Sequence, residues 1–175
     1  ITNRFIFFFV MIVMGIQQGM QPIVGYNYGS KQYDRMMRAF KLAIYSATCV
    51  MSVLWLFGEI WPEGFIRLFT HDSLLVETSI APARVMLCVM CAIGFPMVTG
   101  NFYTSIGMAK KAIFLSLSRQ VLFLIPLILG MPILFEQLGW NPLWGVWWSW
   151  PISDTLSVLI AAILINKDMR TFRSE

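Results

Sequence analysis

Between Arg84 and Lys110 the chain runs VMLCVMCAIGFPMVTGNFYTSIGMA without one charged residue. A helix needs roughly 20 predominantly apolar residues to cross the hydrocarbon of a bilayer, and this stretch exceeds that length. Four further stretches follow the same pattern, at about 5–28, 42–61, 115–135 and 143–165. Their apolarity is continuous, whereas barrel strands would alternate over about 10 residues. Composition agrees: 58% of the 175 residues are hydrophobic and 13% are charged, against about 25% charged in soluble domains. Such a chain cannot cover itself with a polar surface, and a bilayer removes the need for one. The expectation is an all-α membrane protein, one domain over 1–175, built as a bundle of five transmembrane helices.

Charge placement orients the bundle. Lys31, Arg35, Arg38 and Lys41 lie between the first and second spans, Lys110, Lys111 and Arg119 between the third and fourth, and Lys167, Arg170 and Arg173 in the tail. The opposite side carries Arg4, Arg67 and Arg84 among several acids. The positive-inside rule makes the side rich in Lys and Arg, and with it the C-terminus, cytoplasmic. The net charge of +4 is therefore a topology signal and not a nucleic-acid footprint. Five spans with the tail inside put the N-terminus outside. With a start at Ile1 and no signal-peptide pattern, at least one further span is expected upstream.

Between the second and third spans, WPEGFIRLFTHDSLLVETS is too polar to cross. Phe65, Ile66, Leu68 and Phe69 fall on one side of a short helix, which predicts an external interfacial helix with Trp61 at headgroup level. The Trp-rich turn LGWNPLWGVWW marks the outer interface again.

No catalytic or metal constellation is visible. His71 is the single histidine, and Cys88 and Cys91 form one CxxC without a second ligand pair; two small residues on a helix face account for it. There is no phosphate-binding loop, so nothing points to ATP hydrolysis by this chain. The expectation is a non-enzyme without a cofactor.

Polarity inside the spans is more informative. Pro22, Pro96, Pro126, Pro132 and Pro151 each remove a backbone donor and free a carbonyl one turn back. In lipid such carbonyls must face protein or a water-filled cavity. Gln17 and Gln21 stand four residues apart on one helix face, and Asn101 and Ser105 do the same. Ser153, Asp154 and Ser157 cluster in the last span. Polar side chains at this depth face the bundle interior, either as interhelical hydrogen bonds or as a substrate path. Asp154 is the one acid well inside a span. A carboxylate there must be protonated, paired or hydrated, which leaves a proton relay, a cation site or an ion pair with Arg119.

The stretch GIQQGMQPIVGYNYGSKQYDRMMRAFK resembles the eighth transmembrane helix and following loop of the MATE multidrug exporters, most of all their MepA-like branch. FIRLFTHD is similar to an external segment of that family. SIGMAKKAIFLSLSRQVLFLIPLILGMPILF, with Ser118, Arg119 and Gln120, resembles its tenth-to-eleventh helix connection, and GVWWSWPISD the start of its twelfth helix. The resemblance covers essentially the whole chain. It implies helices eight to twelve, the C-terminal lobe of a twelve-helix antiporter of a bacterial inner membrane. Such antiporters exchange Na⁺ or H⁺ for drugs or organic cations by alternating access between two lobes. It also implies a missing N-terminal lobe as partner, carrying the coupling acid of the MepA-like branch. The other branch uses an acid in helix ten, and the third span here has none. The residues expected in the substrate path or gate are Gln17, Gln21, Pro22, Asn27, Asn101, Arg119 and Asp154, with Gly25 and Gly29 letting helices approach closely. A lipid-linked oligosaccharide flippase of the same superfamily, or a non-transporting membrane scaffold, are the alternatives.

Overall fold

The computed structural model describes residues 2–61, 64, 67, 80, 84, 85 and 88–174. All elements among them are helical: α1 Thr2–Gly29, α2 Tyr33–Ile60, α3 Met90–Ser105, α4 Ala109–Leu117, a π-helical turn Ser118–Leu124, α5 Ile125–Gln137 and α6 Pro142–Ser174. α4, the π turn and α5 are continuous, so these elements form five helical columns among the described residues. Three are long and apolar enough to cross a membrane by length and composition: Tyr33–Ile60, Ala109–Gln137 and Pro142–Met169. The expected interfacial helix around Phe65, Ile66, Leu68 and Phe69 lies outside the described residues.

The helix faces follow from residue size and spacing. On α1 the buried positions are Val13, Gln17, Met20, Val24 and Asn27, and on α2 they are Met36, Phe40, Ala43, Ala47, Met51, Leu54 and Gly58. Steps of three and four residues draw one stripe along each helix, the geometry of near-parallel helix packing. The large side chains outside the stripes, such as Ile23, Leu42, Tyr45, Val53 and Ile60, are exposed. An apolar exterior around a bundle is what lipid, not water, tolerates.

α3 sits at the centre and touches α1, α2, α4 and α6. Its Phe102 and Tyr103 are fully buried, with Phe102 packed 4.4 Å from the Phe40 ring of α2. Small residues set the closest approaches. A Cβ on Gly25 would stand 3.1 Å from the Ser105 carbonyl, and one on Gly145 would stand 2.7 Å from the Met131 backbone. Gly29 has nothing within 4 Å, so it does not serve the close approach expected of it.

Three helix ends close in the same way. After α1, the Gln32 amide donates to the Asn27 carbonyl at 2.8 Å and the Lys31 amide to Tyr28 at 3.1 Å. After α3, Met108 donates to Tyr103 and Gly107 to Thr104; after α5, Trp140 donates to Phe135 and Gly139 to Glu136. Each pattern needs one residue in the left-handed region. Gly107 and Gly139 supply it at φ 77° and 76°, but after α1 the residue is Lys31 at φ 58°. The helix therefore ends at Gly29 while its left-handed turn falls two residues later.

The helix boundaries differ from the expected spans at several ends: α2 begins at Tyr33 and not near 42, and the fourth column at Ala109 and not near 115. The third helix runs from Met90 to Ser105, 16 residues, about 24 Å at 1.5 Å per residue, inside the 85–109 stretch. The last helix does not stop at 165 but continues through the basic tail to Ser174. It starts cleanly: Pro142 occupies the first helical position and the Asn141 side chain accepts the Leu143 amide at 3.0 Å, a side-chain cap on otherwise unpaired amides.

Candidate functional site

Gln17 occupies a core position in the α1 stripe and is only 7% exposed. Its side-chain carbonyl accepts the Asn101 amide of α3 at 3.4 Å. Its own amide nitrogen Nε2 is buried and has no partner. Ser105, one turn beyond Asn101, donates to the Asn101 carbonyl at 2.8 Å, so α3 holds a short polar ladder facing α1. A cavity of about 600 Å³ opens beside these residues, with Gln17, Asn101, Thr104, Ser116, Arg119 and Gln120 on its wall. Pockets of this size hold drug-sized molecules.

Arg119 lies at the start of the π turn. Its Nε donates to Asp154 Oδ1 of α6 at 2.8 Å. The Asp154 side chain is 8% exposed and that of Arg119 is 30% exposed. Next to Asp154, the Ser153 hydroxyl donates to the Arg119 backbone carbonyl at 2.9 Å. The π turn needs this kind of outside partner. Pro126 has no amide hydrogen to return to the turn before it, and a widened turn aims carbonyls away from the helix ladder. A second cavity of about 240 Å³ lies behind the pair, lined by Arg119, Gln120, Leu124, Trp150, Ser153 and Asp154. Arg119 and Gln120 thus form the wall between two cavities.

The structure brings Gln17, Asn101 and Arg119 onto one cleft and ties Asp154 to it through Arg119. The other expected residues stand elsewhere. Met20, not Gln21, takes the next buried place after Gln17, so Gln21 and Pro22 turn to the exposed side of α1. Asn27 is buried, but its amide donates to the Ile23 carbonyl of its own helix at 2.7 Å. Among the described residues no group of three or more His, Cys, Asp or Glu side chains could hold a metal ion.

One polar cluster was not foreseen. Asp168 near the end of α6 accepts both the Tyr103 hydroxyl of α3 at 2.7 Å and the Lys111 ammonium of α4 at 2.6 Å. It pins three helix ends together at the side where the basic residues gather. Its signal in the sequence was an acid, Asp168, between Lys167 and Arg170 in a basic tail.

A helix bundle with an apolar exterior and a polar interior cleft defines an all-α, multi-pass membrane protein. The MatE family model matches residues 1–129, and the chain belongs to that family. It is 22% identical to the multidrug export protein MepA of Staphylococcus saprophyticus and 26% identical to that of Staphylococcus aureus strain bovine RF122, each over 165 residues. Each alignment covers 94% of this chain and 35% of the relative, so the chain spans about a third of the relatives' length. Among solved structures, it superposes on the MATE multidrug transporter DinF-BH with a TM-score of 0.85 and 40% identity, covering 97% of this chain and 36% of that one. The MATE transporter ClbM in complex with Rb⁺ shares the fold at a TM-score of 0.85 and 21% identity, with 98% and 39% covered.

Proposed function

We propose that this chain forms the C-terminal lobe, helices eight to twelve, of an exporter that moves drugs or organic cations across a bacterial plasma membrane. The observation that carries this reading is the cleft itself. Gln17, Asn101 and the adjacent Arg119 and Gln120 come from three elements, yet they wall one cavity of about 600 Å³ inside a mostly apolar bundle. Buried polarity in a membrane protein is costly and marks a path for substrate or ion. Family membership supports the same reading, because the relatives it matches are export proteins and not enzymes.

In this reading all five columns cross the bilayer, and the side with Lys31, Arg35, Lys111 and Lys167 faces the cytoplasm. Gln18, Gln21 and Pro22 on the exposed side of α1 face a first lobe across the central path. Transport proceeds by rocking of the two lobes, driven by Na⁺ or H⁺ entering as drug leaves. α3 carries no acid and Asp154 is engaged by Arg119, so the coupling acid belongs to the first lobe. That pairing also offsets the charge of Arg119, which does not favour the strongly cationic cavity of an oligosaccharide flippase.

The test is ethidium retention in cells that express the full gene product. Lower retention than in vector controls is expected. Equal retention, with the protein present in the membrane, would sink the exporter reading.

A further inference from the structure

We infer that the aromatic cavity at the turn between α5 and α6 is a phospholipid site. It takes a zwitterionic headgroup, with the ammonium of phosphatidylethanolamine against the indole faces. This does not depend on the exporter reading and requires only that the bundle sits in a bilayer.

The cavity holds about 400 Å³. Phe135 of α5, Trp140 and Asn141 of the turn, and Trp144 and Trp148 of α6 line it. It shares no residue with the two cavities at Arg119. Trp144 and Trp148 are four residues apart, so they stand one above the other on one helix face. The Phe135 and Trp140 rings meet edge to face with centroids 5.5 Å apart. Between Trp144 and Trp148, Gly145 packs so closely that a Cβ would stand 2.7 Å from the Met131 backbone of α5. Backbone contact therefore holds the cage in shape before any ligand arrives. Tryptophans of an interfacial belt need no common cavity, whereas these three line one.

Charge selects the headgroup. No Lys or Arg occurs between Arg119 and Lys167, and Lys167 lies toward the opposite end of α6. From Gln120 to Ser153 the single charged residue is Glu136, exposed and next to Phe135 in the chain. A purely anionic headgroup finds no cation here. An ammonium finds ring faces whose quadrupole attracts it, and tryptophan is the strongest of these.

The rest of the lipid also finds partners. Asn141 uses its side-chain oxygen on the Leu143 amide at 3.0 Å, which leaves its Nδ2 hydrogens to donate to a phosphate. It stands at the N-terminus of α6, where the helix dipole favours negative charge. Leu138 and Leu143 flank the turn and are 61% and 65% exposed, apolar surface for acyl chains. A soluble cation would fill the cage and leave that surface bare, so a membrane lipid is the better occupant.

The test compares three lipids with the same acyl chains: phosphatidylethanolamine, phosphatidylglycerol and N-acetyl-phosphatidylethanolamine. N-acetylation removes the ammonium and keeps the phosphate and chains. Each is added to the detergent-purified full gene product, and bound lipid is measured by native mass spectrometry. Phosphatidylethanolamine should bind about tenfold tighter than the other two, the factor of a partly desolvated cation–π contact. Trp144→Leu with Trp148→Leu should bring the three close to equal. Trp148→Phe, which keeps a ring face, should retain part of the preference. Equal binding of the three lipids to the unmodified protein overturns the inference, even if no variant folds. A full preference in the folded double variant also overturns it, because the headgroup is then read elsewhere. Tetraethylammonium binding that the double variant loses, and that phosphatidylethanolamine does not weaken, would assign the cage to soluble cations and overturn it as well. Ethidium retention reports separately on the exporter reading.

Discussion

Arg119 Nε lies 2.8 Å from Asp154 Oδ1, and together with the Ser153 hydroxyl on the Arg119 carbonyl this bond joins the π turn to the middle of α6. The acid that the sequence placed at membrane depth is therefore paired, and its partner also walls the larger cleft. Removing either member strands the other as an uncompensated charge, which costs about 3–5 kcal/mol. Removing both leaves an apolar gap that the helices can fill.

The first prediction follows. In the full gene product, Asp154→Leu should lower the thermal unfolding midpoint in detergent sharply. Adding Arg119→Leu should recover most of the loss. Asp154→Asn should impair ethidium export more than it impairs membrane expression. If the double variant is as unstable as the single one, the bond is not what holds these helices together. If Asp154→Asn exports normally, the acid has no part in transport.

Two serines one turn apart on α6 should respond in opposite ways. Ser153 donates to the Arg119 carbonyl, so Ser153→Ala should cost about 1 kcal/mol and loosen the π turn. Ser157 Oγ is buried without a partner, so Ser157→Ala should be neutral or stabilising. Paired unfolding curves of the two variants check both signs.

Lys31 holds a left-handed conformation that glycine holds at the two equivalent helix ends. A non-glycine residue there carries about 1–2 kcal/mol of strain. Lys31→Gly should therefore raise the unfolding midpoint, although it removes a basic residue. A lower midpoint would show that the Lys31 side chain contributes more than its backbone strain costs.

Asp168 binds Tyr103 and Lys111 at once, with 13% of its side chain exposed. Hydrogen bonds to a charged group contribute about 1.5–3 kcal/mol. Asp168→Asn and Lys111→Gln should each destabilise, and a double-mutant cycle should give a coupling of at least about 1 kcal/mol. A coupling near zero would mean that the three helix ends are held by packing alone.

Much of this was legible in the sequence because the bilayer is a simple solvent. Long uncharged runs favour helices over any exposed polar structure, and the columns around Leu54 and Ala161 are long and apolar enough to cross a membrane, whereas the helix around Phe102 has 16 residues. The cleft was half legible. Gln17 and Asn101 stand out as amides in apolar runs, and the Arg119–Asp154 pair was one of three open alternatives for Asp154. The side that Gln21 takes was not legible: i,i+4 spacing is compatible with one face, whereas the buried stripe on α1 steps from Gln17 to Met20 and leaves Gln21 exposed. The π turn was not legible, since it depends on Ser153 reaching across from another helix as well as on Pro126. The Asp168 cluster was hidden for a similar reason: its partners lie 65 and 57 residues away along the chain.

The most direct test of the central claim is dye movement in proteoliposomes holding the full gene product, under an imposed Na⁺ or H⁺ gradient. Gradient-dependent movement of ethidium is predicted, lost when the gradient is collapsed and reduced in Asp154→Asn. Movement that ignores both gradients, or none at all in correctly inserted protein, would contradict the reading of this chain as one lobe of a cation-coupled exporter.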